Sequence, residues 1–328
     1  MVTPRRDPFF DVETPVVFAH RGGAGEVPES TEEAFRHAAI TVGVDVLELD
    51  IQISGDQEIV VWHGPGLGNV HDGRVFLAHG SIHETRYHEE LHGKTWVAHP
   101  QKTQEMLQSP ARQLLTLEAF LGLVNQMEHE LKETGNPRNL HLNIEFKPGP
   151  RRFGQGAAKG WEKLFDRLFT LLRPEAKRRR VILASADHGI LSAMRHRMDY
   201  GGHGPYVTNL SPNEQMSFRH LMPQSLTGHA FRMFGCLFMS PRAPSSKPYA
   251  FETYFKLCTR DLIERVRSDG SAFYVFLTGI MLFPAVDQRS EGKLQDVLKE
   301  LLDMGVDGIM TDYPAKVTKL LRLMKVRA

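Results

Sequence analysis

Residues 16–63 read VVFAHRGGAGEVPESTEEAFRHAAITVGVDVLELDIQISGDQEIVVWH. Three short apolar runs in this segment have the length and the β-branched composition of buried strands. The first run ends at His20, the second contains Glu48 and Asp50, and the third ends at His63. An amphipathic segment of helical length separates the first two runs, so the segment predicts a strand, a helix and two further strands of an α/β fold.

The polar side chains of these runs predict chemistry as well as structure. Because alternate residues on a strand point the same way, Glu48 and Asp50 present two carboxylates to one spot. Carboxylate oxygens beside His20, His63 and Arg21 suit a divalent cation and a phosphate ester. We therefore predict phosphodiester chemistry.

The rest of the chain alternates short apolar runs with longer amphipathic segments, which is typical of repeated βα units. The predicted strands are Val16–Ala19, Val46–Ile51, Ile59–Trp62, Leu140–Phe146, Val181–Ala184, Tyr206–Leu210, Cys236–Met239, Phe273–Leu277 and Gly308–Thr311. The predicted helices are Thr31–Val42, Thr116–Glu133, Trp161–Leu172, Ile190–Arg197, Phe251–Arg267 and Leu294–Met304.

Nine predicted strands are one more than an eightfold barrel needs. Either Tyr206–Leu210 or Cys236–Met239 is an auxiliary element, or Glu48–His63 is partly a hairpin around Ser54-Gly55-Asp56. The sequence leaves these alternatives open.

We predict one domain over residues 1–328, a TIM-type (β/α)8 barrel with a small insertion at residues 64–113 after the third strand. Barrels of this type commonly reach such a length as one unit. An open doubly wound sheet is the alternative. The glycines after His20 do not support it, because they read G-G-x-G and lack the third glycine of a dinucleotide fingerprint.

The insertion at residues 64–113 is rich in glycine, histidine and polar residues. Histidines recur from His63 to His99, with His79 and His83 at four-residue spacing. A zinc site is an alternative there, but no cysteine or companion carboxylate pattern supports it. We predict a solvated, histidine-rich excursion on the functional face of the barrel.

The composition, 41% hydrophobic and 24% charged, is ordinary for a soluble globular protein. A formal net charge of +1 gives no overall attraction to nucleic acid. Two cysteines, Cys236 and Cys258, without disulfide-rich spacing fit a reducing compartment. The N-terminus lacks the apolar core of a signal peptide, and no apolar run approaches the roughly 20 residues that span a bilayer. We therefore expect a cytoplasmic protein with no transmembrane segment and no nucleic-acid partner; no feature indicates an oligomeric state.

The order His-Arg-Gly, Pro-Glu-x-Thr, Glu-Leu-Asp, Val-x-His in residues 16–63 resembles the glycerophosphodiester phosphodiesterase family. Each motif is short, but their shared order along the chain is highly specific. The resemblance continues downstream in Leu115-Thr116-Leu117-Glu118, Asn143-Ile144-Glu145-Phe146-Lys147, Ser185 and Gly305–Pro314.

This resemblance implies a TIM-type barrel that hydrolyses a small-molecule substrate, a glycerophosphodiester, to glycerol 3-phosphate and an alcohol. It also implies one divalent cation, Mg2+ or Ca2+, at the C-terminal ends of the strands. The implied roles are metal binding by Glu48, Asp50 and Glu145, acid/base catalysis by His20 and His63, phosphate contact by Arg21 and Lys147, and loop orientation or substrate contact by Glu29.

Three departures from the family pattern predict an altered substrate preference. Gly64 replaces the aspartate that usually follows the second histidine, and Ser30 replaces an asparagine. Phe276–Ile280 replaces a Trp-Thr-x-Asn pattern, which predicts the loss of an aromatic wall and an amide.

Two alternative functions remain open at this point. The apolar run Phe231–Met239 would suit a lipid groove in a lysophospholipase D-like hydrolase of lipid-tailed phosphodiesters, with peripheral contact to lipid. Gly64 leaves room for a catalytically silent barrel that binds phosphodiesters or a partner protein. The retained histidines and acids favour an enzyme, because a pure binder does not need a proton-transfer pair.

Overall fold

Nine strands of the described part of the chain form one sheet, and eight of them run parallel. The computed structural model describes residues 7, 10–53, 57–63, 115–147, 163–185, 194, 207–210, 250–268, 271–278 and 286–326. The strands are β1 Val16–Ala19, β2 Val46–Ile53, β3 Ile59–Val61, β4 His141–Phe146, β5 Val181–Ser185, β6 Val207–Leu210, β7 Ala250–Tyr254, β8 Ala272–Phe276 and β9 Gly308–Thr311.

The parallel strands follow the order β6-β5-β4-β2-β1-β9-β8-β7. The two end strands of this order, β6 and β7, approach each other to within 8 Å between Cα atoms. The sheet is therefore curled on itself, and within the described residues helices lie between β1 and β2, β3 and β4, β4 and β5, β7 and β8, and β8 and β9. This is the arrangement of a TIM-type (β/α)8 barrel, and it confirms the predicted fold class.

Six α-helices are described around this sheet. They are α1 Glu32–Arg36, which continues as a π-helical turn over His37–Val42, α2 Leu117–Glu133, α3 Phe165–Arg178, α4 Arg260–Ser268, α5 Glu291–Met304 and α6 Pro314–Leu323. Threonine side chains cap two of them, since Thr31 accepts a hydrogen bond from the Ala34 N–H and Thr116 accepts one from the Ala119 N–H. Within the described residues, no helix has both the length and the apolar character that a membrane crossing requires.

β3, the one described strand outside the parallel order, is a hairpin partner of β2 and not a barrel strand. β3 pairs antiparallel with β2, with Ile51 opposite Val61 and Ile53 opposite Ile59. Of the alternatives left open by the sequence, the hairpin within Glu48–His63 is therefore correct, while Tyr206–Leu210 supplies the barrel strand β6. The predicted strand Cys236–Met239 and the predicted insertion at residues 64–113 lie outside the described residues.

The helix predicted over Phe251–Arg267 is wrong in its first half. Residues 250–254 form β7, and the α-helix begins only at Arg260. The sequence AFETY is rich in aromatic and β-branched residues, which favour a strand. It pairs in parallel with β8, with Phe251 opposite Phe273. The remaining predictions on described residues hold with shifts of up to six residues in their ends, the largest at the helix predicted over Trp161–Leu172, which spans Phe165–Arg178. Nearly all of the helix predicted at Ile190–Arg197 lies outside the described residues.

The barrel interior changes from apolar to charged along the strand direction. Phe10 lies at the N-terminal end of the barrel, in contact with the rings of Phe18 and Tyr274. Buried apolar side chains fill this end, and a second apolar cluster lies between the sheet and the helices. Further along β2, the same inward-facing side carries Glu48 and Asp50, because alternate residues share a face.

The apolar end of the barrel is also fixed by a buried hydrogen bond. The Tyr274 hydroxyl donates to Oδ2 of Asp7 at 2.9 Å. We expect Tyr274→Phe to lower the free energy of unfolding by about 1.5–3 kcal/mol, because a buried carboxylate loses a donor. The midpoint of urea unfolding measures this change. The partly exposed Tyr313 is the matched control, and Tyr313→Phe should shift the free energy by less than about 0.5 kcal/mol. Equal midpoints for Tyr274→Phe and the parent would contradict the prediction.

Candidate active site

Three acidic side chains meet inside the barrel at the C-terminal ends of two neighbouring strands. Glu48 and Asp50 lie on β2 and Glu145 lies on β4, with Asp50 directly opposite Glu145 in the parallel register. One carboxylate oxygen of each residue lies within 4.8 Å of the others. The structure therefore brings together the three side chains that the sequence predicts as metal ligands.

Two basic side chains offset part of this negative charge. The Nε of Arg21 lies 2.9 Å from Oδ2 of Asp50, and its Nη1 lies 3.3 Å from both carboxylate oxygens of Glu29. The Nζ of Lys147 lies 2.9 Å from Oδ1 of Asp50 and 2.6 Å from Oε1 of Glu145. Burial alone would raise the pKa of Asp50, but Lys147 and Arg21 outweigh burial and lower it. Asp50 is therefore an anionic carboxylate with a cation on either side.

A tight turn after β1 brings Arg21 to this position. Arg21 has a φ of +52°, in the left-handed region that residues with a side chain rarely adopt. Its N–H donates to Oε2 of Glu48 at 2.8 Å, which holds this backbone conformation. A Cβ at position 22 would lie 2.9 Å from the carbonyl carbon of Ala34, so Gly22 is required. The His-Arg-Gly motif thus encodes a turn that ties the guanidinium to the acids.

The acidic cluster fits a divalent cation. Oε1 of Glu48 is buried and has no hydrogen-bond partner among the described residues. Burial and the charges of Asp50 and Glu145 raise the pKa of Glu48 well above its ordinary value. A divalent ion would supply both the missing partner and the missing positive charge. An all-carboxylate donor set is of the kind that Mg2+ and Ca2+ prefer.

His63 follows β3 and reaches the same end of the barrel. The Trp62 N–H donates to the Asp50 carbonyl at 2.9 Å, and the Gln52 amide donates to the His63 carbonyl at 3.1 Å. These bonds fix the backbone of His63 beside β2. Burial, reinforced by the positive charge of Arg21, lowers the pKa of His63 well below its ordinary value. His63 is therefore a neutral imidazole at pH 7.

His20 is buried and directly follows β1. Its Nδ1 lies 2.6 Å from Oδ1 of Asp312, the residue that follows β9. The sequence predicts no role for Asp312, although it lies in the Gly305–Pro314 motif. The only available signal was that motif, because spacing alone cannot relate residues so far apart in the chain.

Two aromatic side chains complete this end of the barrel. The rings of Tyr254 and Phe276 lie at the ends of β7 and β8, with centroids 5.5 Å apart. Phe276 also meets the His20 ring edge to face, with centroids 6.3 Å apart at 85°. Burial, followed by the negative charge of Glu145, raises the pKa of Tyr254 to about 12. The expected loss of an aromatic wall is therefore wrong, because Phe276 keeps one ring there and Tyr254 adds another.

Other residues that the sequence motifs include either have a structural role or lie outside the described residues. The Ser185 hydroxyl donates to the Phe146 carbonyl at 2.9 Å and joins the ends of β5 and β4. Ser30 is buried with a φ of +59°, in the turn that follows Glu29. Gly64 and the histidine-rich segment around His79 lie outside the described residues.

Comparison with known proteins agrees with this geometry. The chain matches the glycerophosphoryl diester phosphodiesterase family over residues 20–316. It is 32% identical over 306 residues to YhdW of Bacillus subtilis (strain 168), which covers 92% of this chain and 96% of YhdW. It is 53% identical over 49 residues to a lysophospholipase D of Rattus norvegicus, which is 15% of each chain.

A solved structure from Silicibacter pomeroyi DSS-3 has the same fold. The TM-score is 0.60 at 20% sequence identity, and the alignment covers 98% of this chain and 97% of that one. The family match includes every residue of the site, from His20 to Asp312. The chain is a phosphoric diester hydrolase and belongs to the glycerophosphoryl diester phosphodiesterase family.

Proposed function

We propose that this protein hydrolyses glycerophosphodiesters to glycerol 3-phosphate and an alcohol, with one divalent cation, Mg2+ or Ca2+, held by Glu48, Asp50 and Glu145. The observation that carries the proposal is the convergence of these three carboxylates, with ligand atoms within 4.8 Å of one another, in a barrel of this family. When bound, the cation supplies positive charge to the phosphoryl oxygens as they become more negative.

The basic side chains of the site bind and orient the phosphodiester. Arg21 offers a planar guanidinium, which can bind two phosphate oxygens together, and Lys147 offers a second positive charge. Glu29 is buried and lies 3.3 Å from Nη1 of Arg21. Of its two predicted roles, orientation of the loop after His20 is the better supported, because Glu29 contacts Arg21, which lies in that loop.

The two histidines move the proton. The attacking group is either the glycerol 2-hydroxyl of the substrate or a water molecule. His63, neutral because burial and Arg21 lower its pKa, accepts the proton of this group. His20 donates a proton from Nε2 to the leaving alkoxide, since Asp312 faces its Nδ1. The P–O bond to the alcohol breaks as the new P–O bond forms. Attack by water gives glycerol 3-phosphate directly, whereas attack by the 2-hydroxyl gives a cyclic phosphodiester, which a water molecule then opens to glycerol 3-phosphate.

Phosphorus NMR of the products tests this proposal. A panel of glycerophosphodiesters with different alcohols is incubated with the protein, with EDTA, and with EDTA followed by excess Mg2+ or Ca2+. We expect glycerol 3-phosphate as the final phosphorus product, loss of turnover with EDTA, and recovery with the added ion. A phosphate monoester of the alcohol, or turnover that EDTA leaves unchanged, would refute the proposal.

A lipid-tailed substrate is the second candidate, favoured by the local identity to a lysophospholipase D. The predicted lipid groove at Phe231–Met239 lies outside the described residues. The test is a series of lysophospholipids of increasing acyl length alongside glycerophosphocholine. A rise of kcat/KM with chain length would support the lipid substrate, whereas equal values would exclude a lipid preference.

A further inference from the structure

The His20 ring is fixed from two sides by residues from the other end of the chain. Asp312 Oδ1 lies 2.6 Å from its Nδ1, and the Phe276 ring meets it edge to face. His20 itself is 6% exposed. With Nδ1 facing a carboxylate, Nε2 is the ring nitrogen directed to proton transfer.

The segment that carries Asp312 is itself fastened to the loop that follows His20. The Gly25 N–H donates to the Asp312 carbonyl at 2.8 Å, and the Ala315 N–H donates to Oε1 of Glu26 at 3.1 Å. A Cβ at position 25 would lie 2.4 Å from the Tyr313 ring, so only glycine permits this approach. These contacts set the position of the Asp312 carboxylate relative to the imidazole.

We propose that Asp312 is a positioning residue that acts through His20. Its carboxylate fixes the tautomer and the orientation of the imidazole, so that Nε2 faces the leaving oxygen. Asp312 does not contact the substrate in this proposal. The inference rests on the proposed acid/base role of His20 and extends it to a residue at the end of β9.

Asp312→Asn is the principal variant, because it keeps the size of the side chain and removes its charge. We expect kcat to fall about 10- to 100-fold with little change in KM, as for a partner that orients a functional histidine. In a His20→Ala background, Asp312→Asn should cause no additional loss, because Asp312 then has no imidazole to position. A downfield Nδ1–H proton resonance should be present in the parent and absent from both single variants.

A second histidine–carboxylate pair provides the matched control. His129 Nδ1 lies 3.5 Å from Oε1 of Glu133, and both side chains are exposed on α2, away from the segment that carries Asp312. His129→Gln should leave kcat and the downfield resonance unchanged. Asp312→Ala is a second variant of the tested position, and circular dichroism verifies that each variant is folded.

The outcomes separate this inference from the proposed function. Parental kcat in folded Asp312→Asn would overturn the inference, as would an equal loss in the presence and absence of His20. Parental activity of His20→Ala would instead overturn the catalytic role of His20 itself. A fall in kcat that requires His20, together with loss of the resonance, would support the assignment.

Discussion

Glu48→Gln is expected to abolish binding of the divalent cation and to lower kcat/KM by at least about 10^3-fold, since a bound ion contributes several kcal/mol to transition-state stabilisation. Glu48 provides the only carboxylate oxygen of the cluster that is buried with neither a hydrogen bond nor an ion-pair contact within the described residues. The amide has nearly the same shape but cannot supply negative charge to the ion. Titration calorimetry with Mg2+ and Ca2+ measures binding, and the phosphorus NMR assay measures turnover.

Stability separates this effect from misfolding. Burial, Asp50 and Glu145 all disfavour a charged Glu48, so a neutral amide should not lower the urea unfolding midpoint. Glu291→Gln is the matched control, because Glu291 is an exposed acid on α5 that pairs with Lys319. This control should bind the cation and turn over substrate as the parent does. Unchanged cation affinity in folded Glu48→Gln would contradict the proposed metal site.

His63→Ala is expected to lower kcat by about 10^2- to 10^4-fold, the contribution of a positioned acid or base. The neutral ring of His63 is the proposed proton acceptor, and alanine leaves no group there to replace it. Steady-state kinetics on glycerophosphocholine measures the change. His129→Ala is the matched control, because the His129 side chain is 72% exposed on α2, and it should retain parental kcat.

A substrate with a nitrophenol leaving group distinguishes the two histidines. A weakly basic leaving group needs little protonation, so it should restore most of the activity lost in a variant without the general acid. We expect this recovery in His20→Ala and not in His63→Ala. Recovery in His63→Ala alone would reverse the assigned roles, and parental kcat in His63→Ala with either substrate would exclude His63 from catalysis.

Two residues of the acidic cluster, Glu48 and Asp50, were predictable because strand geometry relates them locally, whereas Glu145 was predicted from the family resemblance. Glu48 and Asp50 share a face of one strand by simple alternation. Glu145 lies on β4, the parallel neighbour of β2 in the sheet. Its carboxylate lies near those of Glu48 and Asp50 because parallel strands have their C-terminal ends at one edge of the sheet. Short, strongly apolar strands such as Val16–Ala19 and Gly308–Thr311 were likewise predicted with their observed ends.

The remaining features depend on tertiary contacts that local patterns do not encode. Only five residues separate the strand Ala250–Tyr254 from the amphipathic helix α4, so the hydrophobic pattern predicted one helix in place of a strand and a helix. Because Tyr254 was predicted to lie in a helix, it was not predicted as a residue of the site. The contact of Asp312 with His20 arises only when β9 pairs beside β1, where Ala19 lies opposite Thr311. A single sequence gives no distance between such remote residues.

The register between β2 and β4 makes correct assembly a condition for both stability and catalysis. A slip of β4 by one residue would turn Glu145 and Lys147 toward the apolar layer beneath the helices and bring Ile144 and Phe146 inward. Such a molecule would bury two charged side chains among apolar ones and would remove one of the three proposed metal ligands from the site. Chains with the wrong register should therefore unfold or be degraded and should not accumulate as folded but inactive protein. The amount of folded protein should then closely follow the amount of active protein.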